Sequence, residues 1–376
     1  MIVNIKFFEK NSIKLIFAIT LSLFVSLLAF NYSAFTKNND IGSKTEPFFD
    51  VHQAGIETEQ QAQVTLLAFD INPETDLAAI GRLMRLWSSD AAKATQGQEV
   101  IGDPNPGMEK YPARLTATFG FGYSLFIKLG ITDRWPILEN KLPKFSIDKL
   151  ENRWSDGDLL VQIAGDDPIS IFHLSHLLKR DAAPFAKVRY QQRGFLNSAG
   201  VGTNEIGRNL LGQIDGTASP TPGSEEFKKA AWITEGENQN GSIMVVRRIR
   251  FALEQWDRLS LNKKSQATGR TIEMGETLTS VNSHVSVAKD NSSAILVRRG
   301  FNYDDGYLSD GSRDAGLIFI AFQKDLKNFI GIQTALAKVD SLNKWTTPIG
   351  SSLFLIPPGI TSISNDWIGK KLLAMR

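Results

Sequence analysis

Apolar positions along this chain follow two periods, and the switch between them marks the elements. Ala62-Gln-Val-Thr-Leu-Leu-Ala-Phe-Asp-Ile71 is a short apolar run that predicts a buried strand. Pro73-Glu-Thr-Asp76 then places acids where a helix starts, and Leu77, Ile80, Leu83, Met84 and Trp87 follow at helical spacing. Residues 113–122 alternate like a strand. Leu159–Ala164 predicts a further strand, Pro168 opens a second helix to about Leu178, and residues 185–195 predict the closing strand. The order β-α-β, then β-α-β, is that of the split βαβ or ferredoxin-like unit.

The second half repeats this order. Residues 241–251 predict a strand, Ala252–Arg258 begins a helix, and residues 294–303 and 317–321 predict two strands. A helix from Asp325 to about Lys338 and a strand over Ser352–Ile356 complete the set. An offset of 157 superimposes Leu160 on Leu317, Ile163 on Ile320, Ala164 on Ala321 and Phe172 on Phe329. The fold class expected is α+β. Two ferredoxin-like (split βαβ) domains form a dimeric α+β barrel-like arrangement within one chain, with residues 61–205 as the N-terminal domain and 206–376 as the C-terminal one.

The first 60 residues stand apart. Lys6, Lys10 and Lys14 precede an apolar run, Leu15–Phe30, broken only by Thr20, Ser22 and Ser26. A basic start with a short apolar core is the layout of a secretory signal, and the run is short for a membrane span of about 20 residues. Residues 1–34 are therefore expected to be a signal peptide or a membrane anchor, and 35–60 a polar linker. No Arg occurs before Arg82, so general secretion fits better than a twin-arginine route.

Composition removes several kinds of chemistry. The 376 residues contain no Cys, which excludes disulfides, thiolate metal sites and a Cys nucleophile. The four His are His52, His173, His176 and His284. Beyond residue 34, basic and acidic residues balance at 39 each, so a charge-driven nucleic-acid partner is not indicated.

Three patterns remain as candidate chemistry. Gly212-Gln-Ile-Asp215-Gly216 presents an Asp between glycines that permit a tight turn and the close approach of a flat ligand. Ser283-His284 lies in a polar loop about 70 residues later. Arg298 and Arg299 sit on a predicted strand, where neighbours face opposite sides, so one enters a pocket while the other turns away. Taken singly, these read first as a plain turn Asp, a solvated loop His and an exposed basic pair. His173 and His176 form H-x-x-H on a helix with no acid close by to complete a metal set, and packing is the expected role.

In this order the three patterns resemble the dye-decolorising peroxidase family, most closely its exported branch of iron-uptake peroxidases or deferrochelatases. The resemblance runs from about Phe48 to the C-terminus. It rests on Phe49-Asp-Val-His-Gln-Ala-Gly-Ile56, on Asn209-Leu-Leu-Gly-Gln-Ile-Asp-Gly-Thr-Ala-Ser-Pro220 and on Ser283-His284-Val-Ser-Val-Ala288. It rests equally on Leu296-Val-Arg-Arg-Gly-Phe-Asn-Tyr303, Asp314-Ala-Gly-Leu-Ile-Phe319 and Pro348-Ile-Gly-Ser-Ser-Leu-Phe354.

The resemblance implies a haem b peroxidase that uses hydrogen peroxide to oxidise dyes, phenols or ferrous iron, with iron uptake or iron release from haem as its setting. Haem would sit in the C-terminal domain. His284 would bind the iron, with Asp314 as acceptor for its other ring nitrogen. Arg247 would meet a haem propionate, and Gly216 would lie against the cofactor. Asp215 and Arg298 would handle peroxide, the first as proton carrier and the second as charge stabiliser. The partners implied are haem, hydrogen peroxide and a small reductant; iron-uptake membrane components and a homo-oligomer are left open. The location implied is the periplasm or another extracytoplasmic site. The competing reading is an extracytoplasmic haem-binding carrier that turns nothing over.

Overall fold

Strands in this chain are apolar on both faces, and the architecture explains why. The computed structural model describes residues 41–137, 139–199, 201, 207–215, 219–290 and 295–374. The leader expected over 1–34 and the site residue Gly216 lie outside these. Gly42–Arg376 forms one compact unit. Among the described residues no helix is long and apolar enough to cross a membrane.

The first half contains β1 (Gln63–Ile71), β2 (Thr116–Gly122), β3 (Leu159–Gly165) and β4 (Ala186–Phe195). They form an antiparallel sheet in the order β2-β3-β1-β4. The second half contains β5 (Ser242–Phe251), the two-residue β6 (Val297–Arg298), β7 (Phe301–Tyr307), β8 (Arg313–Gln323) and β9 (Thr346–Ile356). Here the order is β9-β5-β8-β7, with β6 beside β8 at the end of β7. Each half thus has the same strand order, the ferredoxin-like one. The two sheets meet at both edges, β2 against β9 through Phe121↔Leu355 and Gly122↔Phe354, and β4 against β7 through Phe195↔Asn302. Eight strands therefore close into a ring.

Side chains alternate across a strand. Val64, Leu66 and Ala68 of β1 and Met244 and Val246 of β5 belong to one core, inside the ring. Leu67, Phe69 and Ile71 of β1 and Ile243 and Val245 of β5 belong to another, beneath the helices. In the first half the helices Leu77–Ala94 and Pro168–Ala182 seal that outer face. Asp76 and Asp167 cap them by accepting from the N–H groups of Ala79 and Ser170. Trp87 packs between Phe69 and Phe119 and donates its indole N–H to the Leu178 carbonyl at 2.9 Å.

Two expectations are corrected. The linker assigned to residues 35–60 is packed from Phe48 onward: Phe48, Gln53 and Ile56 are buried. The buried Arg299 guanidinium binds the carbonyls of Ile56, Thr58 and Glu59 and the Gln61 side chain, which ties this polar stretch to the ring. The single strand expected over 294–303 is two strands, β6 and β7, interrupted at Arg299-Gly300.

The first-half helices also carry a buried acid pair. Burial, with the charge and hydrogen bond of Asp181, pushes the Asp90 carboxyl up to about 7, and burial raises Asp181 too. A carboxyl raised in the folded state contributes most below its unfolded value and loses that contribution as pH rises through the folded value, here from about 4 to about 7. Asp90→Asn should therefore raise the melting temperature at pH 8 and give little at pH 4. Thermal unfolding at the two pH values checks this, and an equal gain at both would refute it.

Candidate active site

The helix of the second half, Leu326–Val339, does not seal its sheet as the first-half helices do. Between them lies a cavity of about 390 Å³, a size typical of small-molecule sites. Its walls are largely apolar, with Ile249, Leu317 and Phe319 from the sheet and Phe329, Ile332 and Leu336 from the helix. Asp215, Arg247, His284 and Arg298 line this one cavity, although up to 83 residues separate them in sequence.

Asp215 is presented by the glycine turn. Gly212 adopts φ +80°, a left-handed conformation that disfavours side chains. Asn209 organises the turn: its Oδ1 accepts from the N–H groups of Leu211 and Gln213 at 3.0 and 3.2 Å. Asn302 of β7 holds the turn against the sheet, accepting from Leu210 N–H and donating to the Arg208 carbonyl.

Arg298 reaches Asp215 from β6, with Nη1 at 3.8 Å from Oδ1. The next residue turns the other way, since Arg299 is buried against residues 56–61.

His284 begins the short helix His284–Asp290, where Ser283 Oγ accepts from the Ser286 N–H. Gly269 passes so close to Ser283 that a Cβ would stand 2.4 Å from its Oγ. The His284 Nδ1–H donates to Asp340 Oδ2 at 2.7 Å. Asp340 is itself fixed, because its Oδ1 accepts from the Leu342 N–H at 2.9 Å. This bond orients the ring and, with the proton on Nδ1, leaves Nε2 as the acceptor nitrogen.

The acceptor expected for His284 was Asp314, and this is a correction. Asp314 lies on β8 in phase with Ile318 and Ile320, which belong to the core inside the ring. The cavity is lined by the alternate residues Leu317 and Phe319. Asp314 instead binds Arg248 Nη2 and Arg250 Nε, each at 2.9 Å. Burial works against its charge, but the Arg250 hydrogen bond and the Arg248 charge hold the carboxyl below its ordinary range.

Arg247 is nine-tenths buried or more and pairs with Asp148, with Phe145 stacked 5.1 Å from its guanidinium carbon. Burial pulls the guanidinium down from its ordinary value, and Asp148 opposes that shift. Nη1 also donates to Ser351 Oγ at 3.3 Å. Its Nε is buried with no hydrogen-bond partner among the described residues. An orphaned donor on the cavity wall calls for an acceptor from a ligand.

Residues 53–196 match the description "Dyp-type peroxidase, N-terminal" and residues 206–361 match "Dyp-type peroxidase, C-terminal". The chain belongs to the Dyp-type peroxidase family. It is 30% identical to a deferrochelatase of Escherichia coli over 381 aligned residues, covering 90% of this chain and 89% of the relative. A solved structure of ferric DtpA from Streptomyces lividans matches with TM-score 0.85 and 34% identity, over 89% of this chain and 99% of that one. A DyP-type peroxidase from Cellulomonas bogoriensis matches with TM-score 0.85 and 33% identity at the same coverage.

As a Dyp-type peroxidase the protein is a haem-dependent enzyme, and the cavity suits that cofactor. It combines apolar walls for a flat macrocycle, an imidazole oriented by a carboxylate, and an unpartnered guanidinium N–H for an anionic edge. Sequence reasoning missed Asp340 and Asp148. The only signal for Asp340 was its place at the helix end, where an Asp caps the turn that follows.

Proposed function

We propose that this Dyp-type peroxidase carries haem b in the second-half cavity, with His284 as iron ligand and Asp215 and Arg298 as the peroxide-handling pair. The observation that supports this reading most is that Asp215 and Arg298 meet on the wall of the cavity that His284 also lines. Bound there, haem supplies the iron at which peroxide is reduced and an external donor is oxidised. His284 holds the iron through Nε2, and Asp340 strengthens it as a ligand by accepting from Nδ1–H. Arg247 offers its Nε–H to a propionate. Asp215 takes a proton from the near oxygen of hydrogen peroxide and delivers it to the far one, which departs as water. Arg298 stabilises the negative charge that gathers on that departing oxygen.

The electron donor is a dye, a phenol or ferrous iron, at an exported, extracytoplasmic location. The deferrochelatase relatives support a link to iron release from haem. A spectrum of the purified full chain should show a Soret band. Mixing with peroxide should change it rapidly, and added phenol or ferrous iron should restore it over many cycles. Stoichiometric haem with no peroxide-dependent turnover would make the protein a carrier and overturn the proposal. Iron release that leaves the porphyrin intact is scored separately, by free porphyrin fluorescence.

A further inference from the structure

The H-x-x-H pair in the first half splits its roles. His176 is exposed and stacks on Phe172. His173, one turn earlier on the helix Pro168–Ala182, is buried where it meets two acids that the sequence places far away. Its Nε2 lies 2.8 Å from Asp103 Oδ2, and Glu109 completes the group. One nitrogen and two carboxylate oxygens lie within 4.8 Å of one another. None of the three lines the haem cavity.

The geometry points to a second metal site: we propose that His173, Asp103 and Glu109 bind one divalent first-row transition ion. Burial comes first. The side chains of His173 and Asp103 are 2% and 1% exposed, and Glu109 is buried as well. Two carboxyl groups and one imidazole are packed together out of water, a donor set whose desolvation a bound cation would offset.

Orientation is the second argument. Asp103 Oδ1 accepts from the Asn105 N–H at 2.9 Å, and Glu109 Oε2 accepts from the Gly107 N–H at 2.7 Å. Each carboxylate is thus held by its own loop, as ligating carboxylates are held by outer partners. Arg180, on the same helix as His173, donates to the Gly102 carbonyl at 2.9 Å and braces that loop against the helix.

Spacing is the third. With metal–ligand bonds of about 2.0–2.2 Å, ligand atoms stand up to about 4.4 Å apart, so the three atoms are at or near the separation a shared ion imposes. The ion would take the place of the His173–Asp103 hydrogen bond, with Nε2 as the ligand atom and the imidazole proton carried on Nδ1. An imidazole among the ligands disfavours calcium and magnesium, which take oxygen alone, and suits manganese, iron(II) or zinc.

The test uses the full chain, stripped with chelator and titrated with Mn²⁺ or Zn²⁺. Manganese binding is read by loss of the free-ion EPR signal, which haem iron does not mimic, and zinc binding by calorimetry. The expected result is one ion per chain and a melting temperature that rises with metal concentration. His173→Gln should weaken binding at least about 10-fold. Glu109→Gln should do the same while keeping an acceptor for the Gly107 N–H, so it remains informative if the His173 variant misfolds. Haem content should be unchanged in both. Absence of saturable binding by the wild type, or unchanged affinity in Glu109→Gln, would reduce the cluster to a hydrogen-bonded clamp and overturn the proposal.

Discussion

His284→Ala should leave a folded protein that retains little haem. His284 starts a helix of seven residues, its side chain is 38% exposed, and its ring bond runs to Asp340 alone among the bonds described. Ser283 continues to cap the helix, but the buried Asp340 Oδ2 loses its donor, so stability should fall by about 1–3 kcal/mol, too little to unfold the domain. The cost to haem should be far larger, because no other His borders the cavity: His52 stacks on Trp232, and His173 and His176 lie in the first half. Haem per chain, the far-ultraviolet circular dichroism and the iron spectrum are the measurements. Full occupancy with an unchanged spectrum would remove His284 as the ligand. Asp340→Asn is the graded companion. It keeps an acceptor for the Leu342 N–H but loses the carboxylate charge on Nδ1–H, and such outer-partner changes typically cost about 10–100-fold in affinity or activity. An Asp314→Asn variant should instead leave haem affinity unchanged, since that carboxylate faces Arg248 and Arg250 on the other side of the sheet.

Asp314 shows where the sequence stops being readable. The strand order was legible because each half repeats the same succession of periods, and the superposition of Leu160 on Leu317 correctly pairs β3 with β8, the third strand of each half. The side each residue faces was not legible. Leu317, Ile318, Phe319 and Ile320 are all apolar, because β8 is covered on one face by the ring interior and on the other by the cavity. Without polar alternation, nothing in the chain says whether Asp314 is in phase with Phe319 or with Ile318. Asp340 fails for a different reason: it is 56 residues from His284 and meets it only because the helix Leu326–Val339 ends above the cavity. The same limit hid the acids around His173, which lie on a loop about 70 residues upstream. The Arg298-Arg299 pair was readable because two adjacent charges on one strand must diverge. The packing of residues 48–60 was not, since a polar stretch is held there by a buried guanidinium and not by apolar contacts.

That divergence gives the second large effect, a separation of activity from stability between adjacent residues. Arg298→Leu should slow the peroxide reaction by about 10²–10³, the usual cost of removing a donor aimed at developing charge. It should leave the melting temperature nearly unchanged, because the 3.8 Å pair with Asp215 is partly exposed and such pairs contribute about 0–1 kcal/mol. Arg299→Leu should do the reverse. Its guanidinium is buried deeply enough that desolvation, with the like charge of Arg114, pulls it down to about 10, so it is still protonated at neutral pH. It supplies donors to the carbonyls of Ile56 and Thr58 and to Gln61. Stranding those acceptors should cost about 1–3 kcal/mol each where water cannot replace the donor, while peroxide reactivity per folded, haem-loaded chain stays near wild type. Stopped-flow rates normalised to haem, paired with thermal unfolding, read both axes. Asp215→Asn should follow Arg298→Leu in the rate and not in the melting temperature, since an amide cannot carry the proton between the two oxygens. If Arg299→Leu proved slow and stable while Arg298→Leu proved fast, the strand would present its other face to peroxide, and the pairing of Arg298 with Asp215 would have no part in the reaction.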